Sequence, residues 1–127
     1  MKTVNWGVLG AAKFAREHMA RAIHEAEGAR FFALATSDSG KAERFRAFCP
    51  DLKIHSSYDA LLADPEVEAV YIPLPNHLHV EWALRALDAG KHVLCEKPIA
   101  LKADQIDAVI AARDRTGLIA TEAYMIV

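Results

Sequence analysis

Small residues at a regular spacing directly follow the first apolar run of the chain. That run covers positions 3–9. Its last three residues begin the segment Gly7-Val8-Leu9-Gly10-Ala11-Ala12-Lys13-Phe14-Ala15. The spacing Gly10-x-Ala12-x-x-Ala15 is typical of a tight strand-to-helix turn whose backbone can approach a pyrophosphate. A helix beginning there points free N–H groups and its positive dipole end at phosphate, and Lys13 would add charge. The alternative interpretation is a plain small-residue turn with no ligand.

A second polar segment follows the next apolar run, at positions 30–35. An acidic residue about 20 positions after the glycine turn usually binds a ribose 2′-hydroxyl and favours NAD. Here Asp38 comes slightly late, while Thr36 and Ser37 occupy positions suited to hydrogen-bonding a 2′-phosphate. Lys41 and Arg44, on the following helix, would neutralise its charge. We therefore expect NADP in preference to NAD. The alternative is a solvated helix start capped by Asp38 or a neighbouring serine.

Short apolar runs alternate with stretches of helical periodicity along the whole chain. This alternation predicts an α/β fold, a doubly wound and mostly parallel sheet of about six strands with helices on both faces, in the order 3-2-1-4-5-6. In the last helix, we expect Ile106, Val109 and Ile110 to face inward, and Asn76 is predicted to cap the helix before it. The predicted strands cover 3–9, 30–35, 53–55, 68–72, 92–95 and 118–123, and the predicted helices cover 14–26, 40–48, 58–63, 76–89 and 102–115.

Composition limits the classes of function. The chain has 127 residues, of which 53% are hydrophobic and 25% charged, with a net charge of −2, so we expect one globular domain with no nucleic-acid partner. No apolar run approaches the roughly 20 residues of a membrane span, and no signal peptide is recognisable. The two cysteines lie far apart, and no residues have metal-ligand spacing. We expect no metal, a cytoplasmic location, an inert core position for Cys95, and packing roles for Trp6 and Trp82.

Two later segments are more specific than the glycine turn. One is Ile72-Pro73-Leu74-Pro75-Asn76-His77-Leu78-His79, after the fourth predicted strand, and the other is Gly90-Lys91-His92-Val93-Leu94-Cys95-Glu96-Lys97-Pro98, through the fifth. Together with the glycine turn they resemble the Gfo/Idh/MocA family of oxidoreductases over essentially the whole chain. The Glu96-Lys97-Pro98 motif is the strongest mark of the resemblance. It implies a Rossmann domain, residues 1–127, without the family's second domain for substrate binding and dimerisation.

The resemblance implies a cofactor contact for each part of the site. The pyrophosphate would lie against the glycine turn, the adenosine ribose against the segment after the second strand, and the nicotinamide against the ends of the fourth and fifth strands. The residues implied are Gly10, Ala11, Ala12, Lys13 and Phe14 for the pyrophosphate, Thr36, Ser37 and Lys41 for the ribose, Leu74, Pro75, Asn76 and His79 for the middle and nicotinamide side, and Glu96 and Lys97 beside the nicotinamide.

The resemblance also implies that Lys97 is catalytic and touches substrate. Hydride transfer from an alcohol leaves a proton to be removed, and a lysine near a cationic nicotinamide has its pKa lowered towards neutrality. The cofactor carries out the hydride chemistry while the protein supplies position and electrostatics. Ala12 in place of the commoner glycine is a small departure from the family pattern.

The sequence therefore predicts the cofactor-binding domain of an NAD(P)-dependent oxidoreductase. Hydride would pass to or from a hydroxyl carbon of a sugar, polyol or trans-diol, and the full protein would form a homo-oligomer. The apolar ending at Val127 suggests a fragment of a longer protein. The alternative is a non-catalytic dinucleotide-binding module or redox sensor.

Overall fold

The computed structural model describes residues 3–10, 22–23, 27–47, 49–74, 76–96 and 102–123, and within them six strands form one sheet. Neighbouring strands all pair in parallel, in the order β3-β2-β1-β4-β5-β6. The predicted doubly wound sheet and its strand order are confirmed. The strands are β1 (Val4–Leu9), β2 (Ala29–Ala35), β3 (Lys53–His55), β4 (Ala69–Ile72), β5 (His92–Glu96) and β6 (Ala120–Ala123).

Helices connect most of the strands. Local signals in the sequence fix several ends: Asp38 and Ser57 cap the helices Ser39–Arg46 and Tyr58–Leu62, and Gly117, with a φ of +71°, ends the helix Ala103–Thr116. In the described part of the chain, no helix has the length and apolar character needed to cross a membrane. The helices are α1 (Ser39–Arg46), α2 (Tyr58–Leu62), a short 3-10 helix (Asn76–Leu78), α3 (His79–Asp88) and α4 (Ala103–Thr116).

The structure differs from two of the predictions about helices, and a third lies almost entirely outside the described residues. The helix predicted over 14–26 lies outside the described residues except for positions 22–23. The α-helix predicted to start at Asn76 begins at His79, because the chain first forms the 3-10 turn. The inward orientation of Ile106 and Ile110 is wrong, since these side chains are 42% and 40% exposed. The helix α4 buries only a narrow stripe, which apolar periodicity alone does not reveal.

The two faces of the sheet bury separate apolar clusters. The face covered by α2, α3 and α4 includes Leu9, Leu61 and Val70, and the opposite face includes Phe31 and Tyr71. Cys95 is buried in the first cluster, as predicted. Strand alternation explains this division, because successive side chains point to opposite faces.

One irregularity interrupts the pairing of β1 with β2. Trp6 is paired with Phe31, whereas the next residue, Gly7, is paired with Ala33, so Phe32 is an extra residue on β2. Both Phe32 and Ala33 pack against the cluster under α2, α3 and α4. This is a β-bulge, and it changes the alternation of the strand from that point onward.

A buried aspartate joins β3 to the loops that precede β4 and β5. The Asp64 side chain is 2% exposed, and its Oδ2 lies 2.9 Å from Lys53 Nζ and 3.0 Å from His55 Nε2. Its Oδ1 accepts the backbone N–H of Glu66 at 2.9 Å, and its carbonyl oxygen accepts Lys91 Nζ at 2.7 Å. Burial alone would raise the pKa of Asp64, but the hydrogen bonds from Lys53, Glu66 and His55 lower it to about 2.

Asp64→Asn should destabilise the fold by about 2 kcal/mol near neutral pH. The pKa of Asp64 is lower in the folded chain than in the unfolded chain. Its contribution is therefore complete above about pH 5 and declines as the pH falls towards about 2. Urea unfolding at about pH 7 and about pH 3 measures this effect, with the exposed Asp107→Asn as control. Equal urea midpoints for the two variants at neutral pH would contradict the role of Asp64.

Candidate functional site

A cleft of about 590 Å³ opens at the carboxyl ends of β1, β2 and β3. This is the edge of an open parallel sheet at which ligands bind, next to the point where the strand order reverses between β1 and β4. Polar side chains dominate its lining. The residues are Gly10, Thr36, Ser37, Asp38, Lys41, Ser56, Ser57, Tyr58, Asp59 and Trp82.

Gly10 forms the floor of this cleft where β1 ends. Its φ is +96°, a conformation that residues with a side chain rarely adopt, and its N–H donates to the carbonyl of Ala35 at 2.9 Å. A Cβ atom at this position would lie 3.1 Å from Leu74 Cδ2 and 3.6 Å from the Tyr58 hydroxyl oxygen. Only glycine keeps the backbone open there, so the turn fits the close approach of a phosphate group. The predicted contacts Ala11, Ala12, Lys13 and Phe14 lie outside the described residues.

The segment after β2 forms one rim of the cleft. Thr36 Oγ1 accepts the N–H of Asp38 at 3.1 Å, and Asp38 Oδ1 accepts the N–H of Lys41 at 3.1 Å. Asp38 is therefore the N-cap of α1, as the alternative interpretation of this segment predicted. Ser37 and Lys41 are exposed and line the cleft, so a hydroxyl group and an ammonium group lie together on this rim.

The loop after β4 lies against the glycine turn. Leu74 is 8% exposed and approaches Gly10, while the His79 ring is fully buried, with Nε2 2.6 Å from the carbonyl oxygen of Leu74. Because a carbonyl oxygen only accepts, Nε2 of His79 carries the proton. His79 holds this loop from beneath, and its predicted contact with a cofactor stays a prediction. Pro75 lies outside the described residues, and Asn76 begins the 3-10 helix.

A tyrosine holds the carboxylate at the end of β5. The Tyr71 hydroxyl donates to Glu96 Oε1 from the neighbouring strand β4, and the Tyr71 side chain is fully buried. Burial and the adjacent Glu96 carboxylate raise the pKa of Tyr71, so the phenol stays protonated and remains a donor. Glu96 is thereby fixed at the carboxyl edge of the sheet. Lys97 follows it and lies outside the described residues.

The structure adds residues to the cleft that sequence reasoning missed. Four of them follow β3, whose carboxyl end meets this edge of the sheet. Because ligands bind at the carboxyl ends of the strands in an open parallel sheet, the position after β3 would have indicated these four residues. Trp82 comes from α3, far along the chain, and no local signal indicates its position. The additional residues are Ser56, Ser57, Tyr58, Asp59 and Trp82.

Comparison with known proteins decides the family. Residues 4–124 match the family model of Gfo/Idh/MocA, described as an oxidoreductase family with an NAD-binding Rossmann fold. The chain belongs to this family. The predicted family, Rossmann fold and dinucleotide cofactor are confirmed.

Individual relatives are longer than this chain. An uncharacterised oxidoreductase of Rhizobium meliloti is 48% identical over 126 residues, which are 99% of this chain and 38% of that protein. A D-xylose 1-dehydrogenase (NADP⁺) of Haloferax volcanii is 40% identical over 94% of this chain and 37% of its own length. The structure of a 3-ketoreductase from Actinomadura kijaniata with NADP matches with a TM-score of 0.90 and 36% identity, over 95% of this chain and 38% of that one. The chain thus spans less than two fifths of these relatives.

A comparison of Gly10→Ala with Gly90→Ala should separate the effect of backbone strain on stability from the effect of the cleft's shape on dinucleotide binding. Both glycines have positive φ values, +96° and +84°, but a Cβ at Gly90 meets nothing within 4 Å. Each variant should lose about 1–3 kcal/mol of stability, measured by urea unfolding. Only Gly10→Ala should also lose dinucleotide binding, measured by calorimetry, because its methyl group fills the floor of the cleft. Unchanged binding in Gly10→Ala would show that phosphate does not approach this turn.

Proposed function

We propose that this chain is the cofactor-binding half of an NADP-preferring oxidoreductase that transfers hydride to or from a hydroxyl carbon of a sugar, polyol or trans-diol. The observation that carries the proposal is the cleft itself. Its floor is the open Gly10 turn, and its rim brings together Thr36, Ser37 and Lys41. Such a cleft has room for a pyrophosphate on the floor and an adenosine phosphate at the rim.

The preference for NADP rests on how Asp38 is used. An acid that selects NAD accepts hydrogen bonds from ribose hydroxyls. Here one oxygen of Asp38 accepts the N–H of Lys41 as the cap of α1. Ser37 and Lys41 remain exposed at the rim and complement a dianionic 2′-phosphate. The NADP named for the Haloferax volcanii and Actinomadura kijaniata relatives supports the same preference.

The reacting end of the cofactor would lie along the ends of β4 and β5. When bound, the cofactor supplies the hydride. Leu74 and Asn76 would line its middle, on a loop that His79 holds in place. Glu96, fixed by Tyr71, would lie beside the nicotinamide, and Lys97 would hydrogen-bond the reacting oxygen and exchange a proton with it. The proposal includes a cytoplasmic location, compatible with two free, buried cysteines, and a homo-oligomeric full protein.

Lys41→Gln should weaken NADPH binding about tenfold or more and change NADH binding much less, because only NADPH carries the 2′-phosphate that Lys41 would neutralise. Calorimetric titration with each cofactor measures this. Arg113→Gln, at the opposite edge of the sheet in the last turn of α4, is the control. Failure of the unaltered chain to bind either cofactor would refute the proposed function, whereas equal losses for NADPH and NADH would refute only the role of Lys41.

Lys97→Met should separate catalysis from binding. In a chimera, this chain replaces the matching segment of the Actinomadura kijaniata 3-ketoreductase, which it resembles in structure. We expect the chimera to oxidise NADPH with a keto sugar nucleotide. Lys97→Met should lower the rate at least about a hundredfold while leaving the Kd for NADPH almost unchanged. A chimera that binds NADPH but is equally active with methionine would exclude proton transfer by Lys97. A chimera that binds NADPH without turnover would instead support the non-catalytic alternative.

A further inference from the structure

The Tyr58 side chain occupies a position in the cleft that its role in the fold does not explain. Tyr58 is the first residue of α2, directly after the Ser57 cap, and its ring is half-buried against the cluster under α2, α3 and α4. Its hydroxyl oxygen lies 3.6 Å from the place that a Cβ of Gly10 would occupy. Within the described parts of the chain, this hydroxyl has no hydrogen-bond partner, although its oxygen points to the floor of the cleft.

A set of aromatic and charged contacts fixes the Tyr58 ring. The ring meets Trp82 edge to face, with centroids 5.0 Å apart and planes at 87°. The Arg85 guanidinium lies 4.8 Å from the centroid of Trp82 on the next turn of α3. Asp59 and Glu81 hold that guanidinium at 3.3 Å and 3.1 Å. Exposed ion pairs contribute little stability, so the main effect of this set is to limit the positions that the Tyr58 hydroxyl can reach.

The chemistry of the hydroxyl indicates what it would bind. A phenol is a neutral group that can donate one hydrogen bond. It lies over a backbone turn whose shape admits phosphate, in the cleft that Lys41 also lines. A neutral donor above the bare backbone of Gly10 complements a phosphate oxygen without adding charge that would distinguish one dinucleotide from another.

We propose that Tyr58 is a further cofactor-binding residue, whose hydroxyl donates a hydrogen bond to a pyrophosphate oxygen above Gly10. Trp82 acts as its positioning residue. The inference rests on the proposed function. It places the pyrophosphate against the part of the cleft that is formed by the residues after β3. Lys41 would then select between cofactors, while Tyr58 would bind NADPH and NADH equally.

Tyr58→Phe tests the proposal because it removes one oxygen atom and keeps the ring against Trp82. We expect the variant to bind NADPH, NADH and ADP about tenfold more weakly, by the same factor for all three, as for the loss of a hydrogen bond to a charged group. Binding of nicotinamide riboside, which lacks phosphate, should not change. Calorimetry measures the affinities, and circular dichroism with urea unfolding shows that the variant folds. Trp6→Phe, an aromatic substitution on the other face of the sheet, is the control.

Tryptophan fluorescence gives a second readout. The chain has two tryptophans, so the Trp6→Phe variant reports on Trp82 alone. ADP should change the emission of this variant and leave that of Trp82→Phe unaltered. Unchanged affinities in Tyr58→Phe, with a wild-type chain that binds NADPH, would overturn the role of Tyr58 and leave the proposed function intact. A wild-type chain that binds no dinucleotide would overturn both.

Discussion

Gly10 directly follows β1 and has a φ of +96°. Its N–H donates to the carbonyl of Ala35 at the end of β2. This hydrogen bond joins two strand ends at a point where the chain has no side chain. Leu74 from the β4 loop and Tyr58 from the β3 connection then approach the same bare backbone. Four strand ends thus converge on one glycine, and the cleft exists because none of them fills the position above it.

Buried polar groups hold the loop next to Gly10 and, elsewhere in the fold, the loops that precede β4 and β5. His79 binds the carbonyl of Leu74 from beneath the loop, and Asp64 joins Lys53, His55 and the amine of Lys91 at the side of the sheet. The His79 ring and the Asp64 carboxylate are both buried, and a hydrogen bond in a protein interior is electrostatically stronger than in water. The loop that brings Leu74 against Gly10 is therefore held in place, which favours a preformed site.

The sequence predicted those features that depend on local patterns. Alternating apolar runs predicted the strand order, Gly10 indicated the edge of the sheet at which the cleft opens, and Gly117 marked the end of α4. Features that depend on distant residues were not predictable. The contact of Trp82 with Tyr58 joins residues far apart in the chain, and the exposure of Ile106 depends on how much of α4 its neighbours cover. The ring of His79 is buried by the fold around it, and a motif cannot show this.

The extra residue in β2 has a consequence for how this domain tolerates changes in length. Side chains in a strand alternate with a period of two, so the bulge at Phe32 determines which faces Leu34 and Ala35 occupy. If all residues of β2 paired regularly, without the bulge, these faces would be exchanged and Thr36 would turn away from its present side. Deletion of Phe32 itself would instead leave Leu34 and Ala35 on their present faces, because Phe31 and Ala33 would then alternate regularly. The extra residue of β2 can therefore be lost, as surface turns can change in length, while the rim that carries Thr36, Ser37 and Lys41 still faces the cleft.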